Sequence, residues 1–444
     1  MLYWVLPFPS ANHAVGISVL PVQTLHWQPH KPFAQALIDQ LTPAVVRNSV
    51  VSRWKALKFW GSTYFAEKSS RVGRLRGVKV SGSRIFQYFD DDKPLGPTAF
   101  EAAKQSDVFG YNLTDMSLDD LFGRLQQQSQ TNHSATALYF SDGISVLREI
   151  SQDILPHIFL AGRGGIESCD VNVWMGSKGT IAFPHYDTFD NFFVQIRGSK
   201  RFWLVPPQQW VNTPGTSFNS TFLPLYSHLH TLHRQLVYDL PGVNGTKQIA
   251  QSNTEGLQVY TAQLSPGDLL FVPAYWLHRV EADSLSISVN SWCPSSEFGL
   301  MQQAVTRPLP FEQEWNLVAK AAAVKLFVNH LLVRNSDRYI FESEFSRQTV
   351  AALLEQRFYG GTGEQATDCV CSRADLMEQL PNPTQTAPRI RAAAISSAKF
   401  FATDIQRVRR SAVQVVGLHD FIEDLAAWAV GAGSVASFLR TCFL

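Results

Sequence analysis

Phe183-Pro184-His185-Tyr186-Asp187 sits inside a run, Val171 to Pro206, in which Val171 and Val173, then Phe192, Val194 and Ile196, then Phe202 and Leu204 recur with a period of two. Gly176, Gly179 and Gly198 interrupt the pattern. Alternation of this kind reads as short strands joined by glycine turns, because successive strand side chains point to opposite faces and glycine adopts turn conformations that other residues resist. A second block runs from Leu257 to Trp292, where Ser265-Pro266-Gly267-Asp268 reads as a tight turn feeding the apolar strand Leu269 to Val272. Many short strands with Gly/Pro turns predict a closed double sheet.

Within a strand, residues two apart share a face, so His185 and Asp187 point together while Tyr186 points away. His278, which follows the aromatic pair Tyr275-Trp276 after the second apolar strand, is the third candidate ligand. Two imidazoles and one carboxylate occupy one face of a ferrous ion and leave three positions open, as a cosubstrate and O₂ require. The expectation is an oxygenase with His185, Asp187 and His278 as catalytic metal ligands. His-x-Asp alone is a weak signal in a chain with 12 histidines. A core histidine and a turn-capping aspartate explain each residue singly, and the weight comes from context. A rival cluster, His228, His230 and His233, has ligand types but no carboxylate in register with it.

Composition narrows the class further. The chain has 444 residues, 45% of them apolar and 12% aromatic, enough for a large core and two domains or one decorated domain. Its 38 basic and 37 acidic residues leave a formal charge of +1, with no basic stripe for nucleic acid. No run of 18 apolar residues spans a membrane. Cys169, Cys293, Cys369, Cys371 and Cys442 are an odd set without a CxxC pair, so neither a disulfide framework nor a zinc ribbon is expected and a reducing compartment fits best. Pro7 and Pro9 interrupt the apolar start, and no basic cluster precedes it. The expected location is therefore cytoplasmic or nuclear. Acceptor sequons at Asn112, Asn132, Asn219 and Asn244 favour the secretory pathway, although a chain this long carries some by accident.

Periodicity divides the chain into 1–29, an N-terminal extension; 30–150, a flank of the catalytic unit; 151–300, the barrel; and 301–444, a helical C-terminal domain. In the flank, Pro43 to Asn48 reads as a buried strand, Trp54 to Phe65 as an aromatic-rich helix and Asp90-Asp91-Asp92 as a turn. Later helices are expected at Trp315 to Val333, Ser346 to Phe358 and Ala394 to Leu418, with Gly360 to Pro383 as a loop or linker. The polar insert from Gln208 to Gly256 is either a substrate-selecting loop or a surface excursion.

Two blocks carry a resemblance to a known family. Val173 to Thr180, His185-Tyr186-Asp187 and Asn191 to Phe202 form the first; Leu264 to His278 and Ser286 to Trp292 form the second. Together they resemble the JmjC domain of Fe(II)- and 2-oxoglutarate-dependent oxygenases, and are most similar to its hydroxylase branch, typified by the asparaginyl hydroxylase of hypoxia-inducible factor. The resemblance covers roughly residues 30 to 300. It implies a mainly β catalytic core, a double-stranded β-helix of the cupin or jelly-roll type, with flanking N-terminal helices and a helical C-terminal domain.

By position, the resemblance makes Lys200 the partner of the distal carboxylate of 2-oxoglutarate, with Asn191 and Asn290 near the cosubstrate and Tyr139 donating to that carboxylate. The family commonly has Thr or Ser three residues before the first histidine ligand, whereas this chain has Ala182; Thr180 is the candidate to compensate. Phe192, Phe193, Trp276 and Trp292 are expected to line the pocket. The implied activity is Fe(II)- and O₂-dependent hydroxylation of a protein side chain with release of succinate and CO₂. The alternatives are N-methyl-lysine demethylation, tRNA hydroxylation or a noncatalytic cupin-like scaffold. A homodimer through the C-terminal helices is a further expectation.

Overall fold

A computed structural model describes residues 17–27, 33–87, 111–130, 136–154, 169–211, 256–309, 311–335, 342–358 and 383–444, with parts of 223–240. Sixteen strands lie among them: β1 (Ile17–Pro21), β2 (Gln23–His26), β3 (Ala44–Arg47), β4 (Arg74–Ser81), β5 (Ile85–Phe86), β6 (Tyr111–Ser117), β7 (Ala137–Gly143), β8 (Asp170–Gly176), β9 (Ile181–Tyr186), β10 (Phe189–Arg197), β11 (Lys200–Val205), β12 (Arg234–Gln235), β13 (Leu257–Leu264), β14 (Leu269–Val272), β15 (Leu277–Ala282) and β16 (Ser286–Pro294). Nine form one sheet in the order β2-β3-β14-β10-β16-β8-β7-β4-β6. The other sheet runs β1-β13-β11-β15-β9-β12, with β5 beside β9.

Each sheet is covered on both faces, which gives four layers. Between the sheets lie Phe193, Phe202, Leu204, Leu270, Val272 and Trp276. Behind the nine-stranded sheet, Phe192, Phe271 and Ile287 pack on Phe65, Leu121 and Phe122 from the helices Ser62–Val72 and Leu118–Gln130. Behind the seven-stranded sheet, Trp203, Val205 and Leu277 meet Phe327, Phe401 and Phe421 from the helices Leu317–Asn335, Pro383–Ile405 and Ser411–Val430. Neighbours such as Phe192 and Phe193 enter different layers because strand side chains alternate.

Several expectations need correction. Residues 17–26 are not an extension: β1 pairs in parallel with β13, and β2 with β3, so the chain crosses from one sheet to the other at buried Val22. The helix expected over Trp54 to Phe65 is two, Lys55–Phe59 and Ser62–Val72, because the chain breaks at extended Gly61 to bury Trp60, whose Nε1 donates to Asp153. Ala394 to Leu418 likewise splits between Pro383–Ile405 and Ser411–Val430, where the backbone N–H of Arg410 donates to the Glu297 carboxylate instead of continuing a helix.

Cysteine pairing was missed as well. Cys169 stands just before β8, Cys293 lies on the neighbouring strand β16, and the two form a disulfide across 124 residues of sequence. Cys442 is also disulfide-bonded. The Asp90 to Asp92 turn lies outside the described residues, as does the stretch from Gly360 to Pro383 apart from Pro383, which opens a helix. Among the described residues no single helix is long and apolar enough to cross a membrane.

The two-residue hairpin Gly198-Ser199 joins β10 to β11 and thereby places Lys200. Gly198 has φ +70°, and a Cβ there would lie 1.9 Å from the carbonyl oxygen of Leu285. Gly198→Ala is expected to destabilise the protein by more than about 2 kcal/mol, whereas Gly256→Ala, at φ +78° with open space around it, costs about 1 kcal/mol. Paired urea-unfolding curves measure the contrast, and equal losses would contradict the steric account.

Candidate metal centre and cosubstrate pocket

β9 and β15 are antiparallel neighbours, and their register sets His278 directly across from His185. Asp187 lies one residue past the end of β9, where its carbonyl accepts the N–H of Tyr275 at 2.7 Å. The three side chains offer ligand atoms that all fall within 4.8 Å of one another. The imidazole centroids are 4.2 Å apart, and Asp187 Oδ2 is 3.6 Å from Nε2 of His278, beyond hydrogen-bond range.

Backbone carbonyls set the tautomers. Nδ1 of His185 is 2.6 Å from the Phe183 oxygen, and Nδ1 of His278 is 2.9 Å from the Trp276 oxygen. A carbonyl can only accept, so each Nδ1 carries a proton and Nε2 is the nitrogen each ring could offer to a metal. Two imidazoles and a carboxylate gathered on one side fit a ferrous ion with open coordination positions.

All eight expected site residues, Tyr139, Thr180, His185, Asp187, Asn191, Lys200, His278 and Asn290, line one cavity. The metal donors and Lys200 come from the seven-stranded sheet and the turn after β9; Tyr139, Asn191 and Asn290 come from the sheet opposite. Lys200 is buried with its Nζ 5.1 Å from the Phe193 ring centroid, and no carboxylate among the described residues pairs with it. Burial pushes its ammonium down to about 7. Asn290 accepts from Trp174 Nε1 at 2.6 Å and donates to Asn191 Oδ1 at 3.0 Å, so the Asn191 carboxamide nitrogen is turned to serve as a donor elsewhere.

Some details depart from expectation. The Thr180 hydroxyl donates to the Ser177 carbonyl at 2.7 Å, so its one proton is committed and it does not replace the donor missing at Ala182. Phe193 and Trp292 line the cavity, but Phe192 faces the layer behind and Trp276 packs between the sheets beyond the cavity wall. Trp174 and Gly176 were not read as site residues. Gly176 leaves room for Tyr139, whose ring would be 3.1 Å from a Cβ at that position.

The outer face of β9 carries a second polar cluster. His228 was expected to lack a carboxylate, yet the helix Ser411–Val430 brings it Glu423 and Asp420, and Asp424 Oδ1 is 3.0 Å from its Nε2. His230 and His233 lie outside the described residues. Arg357 Nη1 is 2.7 Å from Asp420 and 2.6 Å from Glu423, and Arg234 bonds Asp420, so guanidinium groups already neutralise these carboxylates where an ion would sit. Burial alone would lower the His228 pKa, but Glu423 and Asp420 push it up to about 9, and a protonated imidazole binds no metal. The described parts of the insert are neither substrate loop nor surface excursion: Leu223, Leu225 and Leu236 are core residues, and Gln235 pairs with His185 from the far side of β9.

Residues 30–297 match the family described as Cupin-like domain. HSPB1-associated protein 1 of Bos taurus is 28% identical over 290 residues, which is 63% of this chain and 55% of that protein. Lysine-specific demethylase 8 of Xenopus tropicalis is 25% identical over 281 residues, 62% of this chain and 54% of that protein. Jumonji C domain-containing protein 5 of Drosophila melanogaster is 30% identical over 131 residues, 28% of this chain and 27% of that protein. The chain spans about half the length of the first two relatives.

Because the His228 pKa is raised by folding, from an ordinary 6.5 to about 9, its contribution is complete below pH 6.5 and is lost as pH rises through 9. Stability should fall over that window by on the order of 2–3 kcal/mol, and His228→Gln should flatten the profile. Denaturant midpoints at pH 6, 8 and 10 check this, and parallel profiles for both proteins would contradict it.

Proposed function

The chain belongs to the cupin-like family in its JmjC form, and from that premise we propose an Fe(II)- and 2-oxoglutarate-dependent dioxygenase that hydroxylates a protein side chain. The observation that carries this reading is the meeting, in one cavity, of three ligand donors, two imidazoles and a carboxylate, with a buried ammonium that no carboxylate among the described residues neutralises. Iron with 2-oxoglutarate supplies oxidative decarboxylation to succinate and CO₂, together with an oxidant able to attack an unactivated C–H bond.

The chain's own residues bind, orient and keep dry. His185, Asp187 and His278 would hold the metal. Lys200 would anchor the distal carboxylate of 2-oxoglutarate by a charge-assisted bond, strong because the pocket excludes water. The Asn290–Asn191 pair would leave a carboxamide donor for the cosubstrate, and Trp174, Trp292 and Phe193 would supply apolar walls. Ala182 leaves one hydroxyl contact unmade, at a cost on the order of 1 kcal/mol in cosubstrate affinity.

The demethylase named among the relatives favours a second reading, hydroxylation of an N-methyl group on lysine. Formaldehyde release from methylated peptides separates it from side-chain hydroxylation. A noncatalytic scaffold is the reading of another class, and a failure of purified protein to bind either Fe(II) or 2-oxoglutarate saturably would favour it.

Succinate formation that depends on O₂ and 2-oxoglutarate should fall to background in His185→Ala and in Asp187→Ala, and mass spectrometry under ¹⁸O₂ should find label in the product; turnover retained by either variant would refute the ligand assignment. Binding of the distal carboxylate needs a protonated Lys200, whose ammonium is pushed by burial down to about 7. The Kd for 2-oxoglutarate should be flat below pH 7 and weaken on the order of tenfold per unit above it, with proton uptake on binding. Calorimetry in buffers of different ionisation enthalpy reads both, and a Kd constant from pH 6 to 9 would remove Lys200 from that role.

A further inference from the structure

Asn112-Leu113-Thr114 is the acceptor sequon that falls among the described residues; Asn132, Asn219 and Asn244 lie outside them. We propose that Asn112 carries an N-linked glycan and that the chain matures in the oxidising lumen of the secretory pathway.

Placement is the first support. Asn112 is on β6, the outermost strand of the nine-stranded sheet, which among the described residues pairs on one side only, with β4. The asparagine is exposed and opposes Val80 on β4, and the residue between acceptor and threonine is not proline. Leu113 beside it is 65% exposed, the highest value among the exposed large apolar side chains. An open strand edge bearing an exposed leucine is a template for pairing with another chain, and proteins cover such edges. Strand alternation turns Asn112 to the face opposite Leu113, so a bulky, hydrated oligosaccharide there would shield the strand edge itself from pairing.

The cysteines are an independent second support. Cys169–Cys293 is a disulfide, and Cys442 is disulfide-bonded too. Disulfides persist in the compartments where sequons are glycosylated and are rare where glutathione keeps thiols reduced. The reducing compartment expected from cysteine spacing rested on the absence of a local pair, and β8 and β16 supply a pair from remote positions.

The modification balances without any group from the protein's own pocket. The Asn112 side-chain nitrogen attacks the anomeric carbon of a lipid-pyrophosphate-linked oligosaccharide. A carbon–nitrogen bond forms, the carbon–oxygen bond to pyrophosphate breaks, the lipid pyrophosphate leaves and the amide gives up one proton.

The test uses intact protein isolated from its source cells. Treatment with the amidase that removes N-glycans, in H₂¹⁸O, should convert Asn112 to ¹⁸O-labelled aspartate in the peptide containing it and sharpen the protein to a faster band. An Asn112→Gln chain expressed in the same cells should lack the label at that site. Alkylation without reductant should leave Cys169 and Cys293 unlabelled. An unmodified Asn112 peptide overturns the proposal whatever the cysteines show, and thiols at Cys169 and Cys293 overturn the compartment even if some glycan is found.

Discussion

The antiparallel register of β9 against β15 is the constraint on which the candidate centre depends. With His278 opposite His185, both imidazoles stand on the cavity face and Asp187, just past the strand end, completes the set. A slip of one residue would turn His278 outward and bring Leu277 or Arg279 into the cavity. The bulge between His278 and Val280 is part of this arrangement, since it locally resets the pairing on the residue after the ligand.

Both strands are held by what lies behind them. Arg279 points away from the cavity, packs against Trp203 at 4.6 Å and bonds Asp239 and Glu281, which fixes the insert to β15. Tyr186, between two candidate ligands, is fully buried and stacks on Trp210 at 4.8 Å. The C-terminal helices add the Arg357–Asp420–Glu423 cluster on that same face. Buried charges contribute little net stability against an apolar alternative, but losing one partner is expensive, so a cluster of this kind specifies how the helical layer docks more than it strengthens the docking.

Much of this was legible in the sequence. Period-two runs and glycine turns mark the β blocks, and the i, i+2 rule alone places His185 and Asp187 together. What stayed hidden depends on contacts between remote segments. No local pattern tells that Cys169 meets Cys293, that residues 17–26 insert strands into both sheets, or that Glu423 reaches His228 across 195 residues. With Asn191 facing the cavity, strand alternation alone sends Phe192 away from it. Thr180 shows a different limit, since its position was right and its hydrogen-bonding capacity was already taken by Ser177.

Tyr275 has a left-handed backbone, φ +65°, which a bulky residue adopts only at a cost of order 1–3 kcal/mol. Its N–H binds the Asp187 carbonyl, its ring faces Tyr186 at 6.0 Å, the Arg410 guanidinium lies 5.9 Å from its ring centroid, and Arg410 also donates to the neighbouring Ala274 carbonyl. The segment leading to His278 is thus kept in a high-energy shape by side chains of the distant C-terminal half. Were the candidate centre to hold an ion, thermodynamic reciprocity would couple the two: whatever loosens the helical layer would weaken that grip, and an ion that favours this shape would in turn fasten the layer.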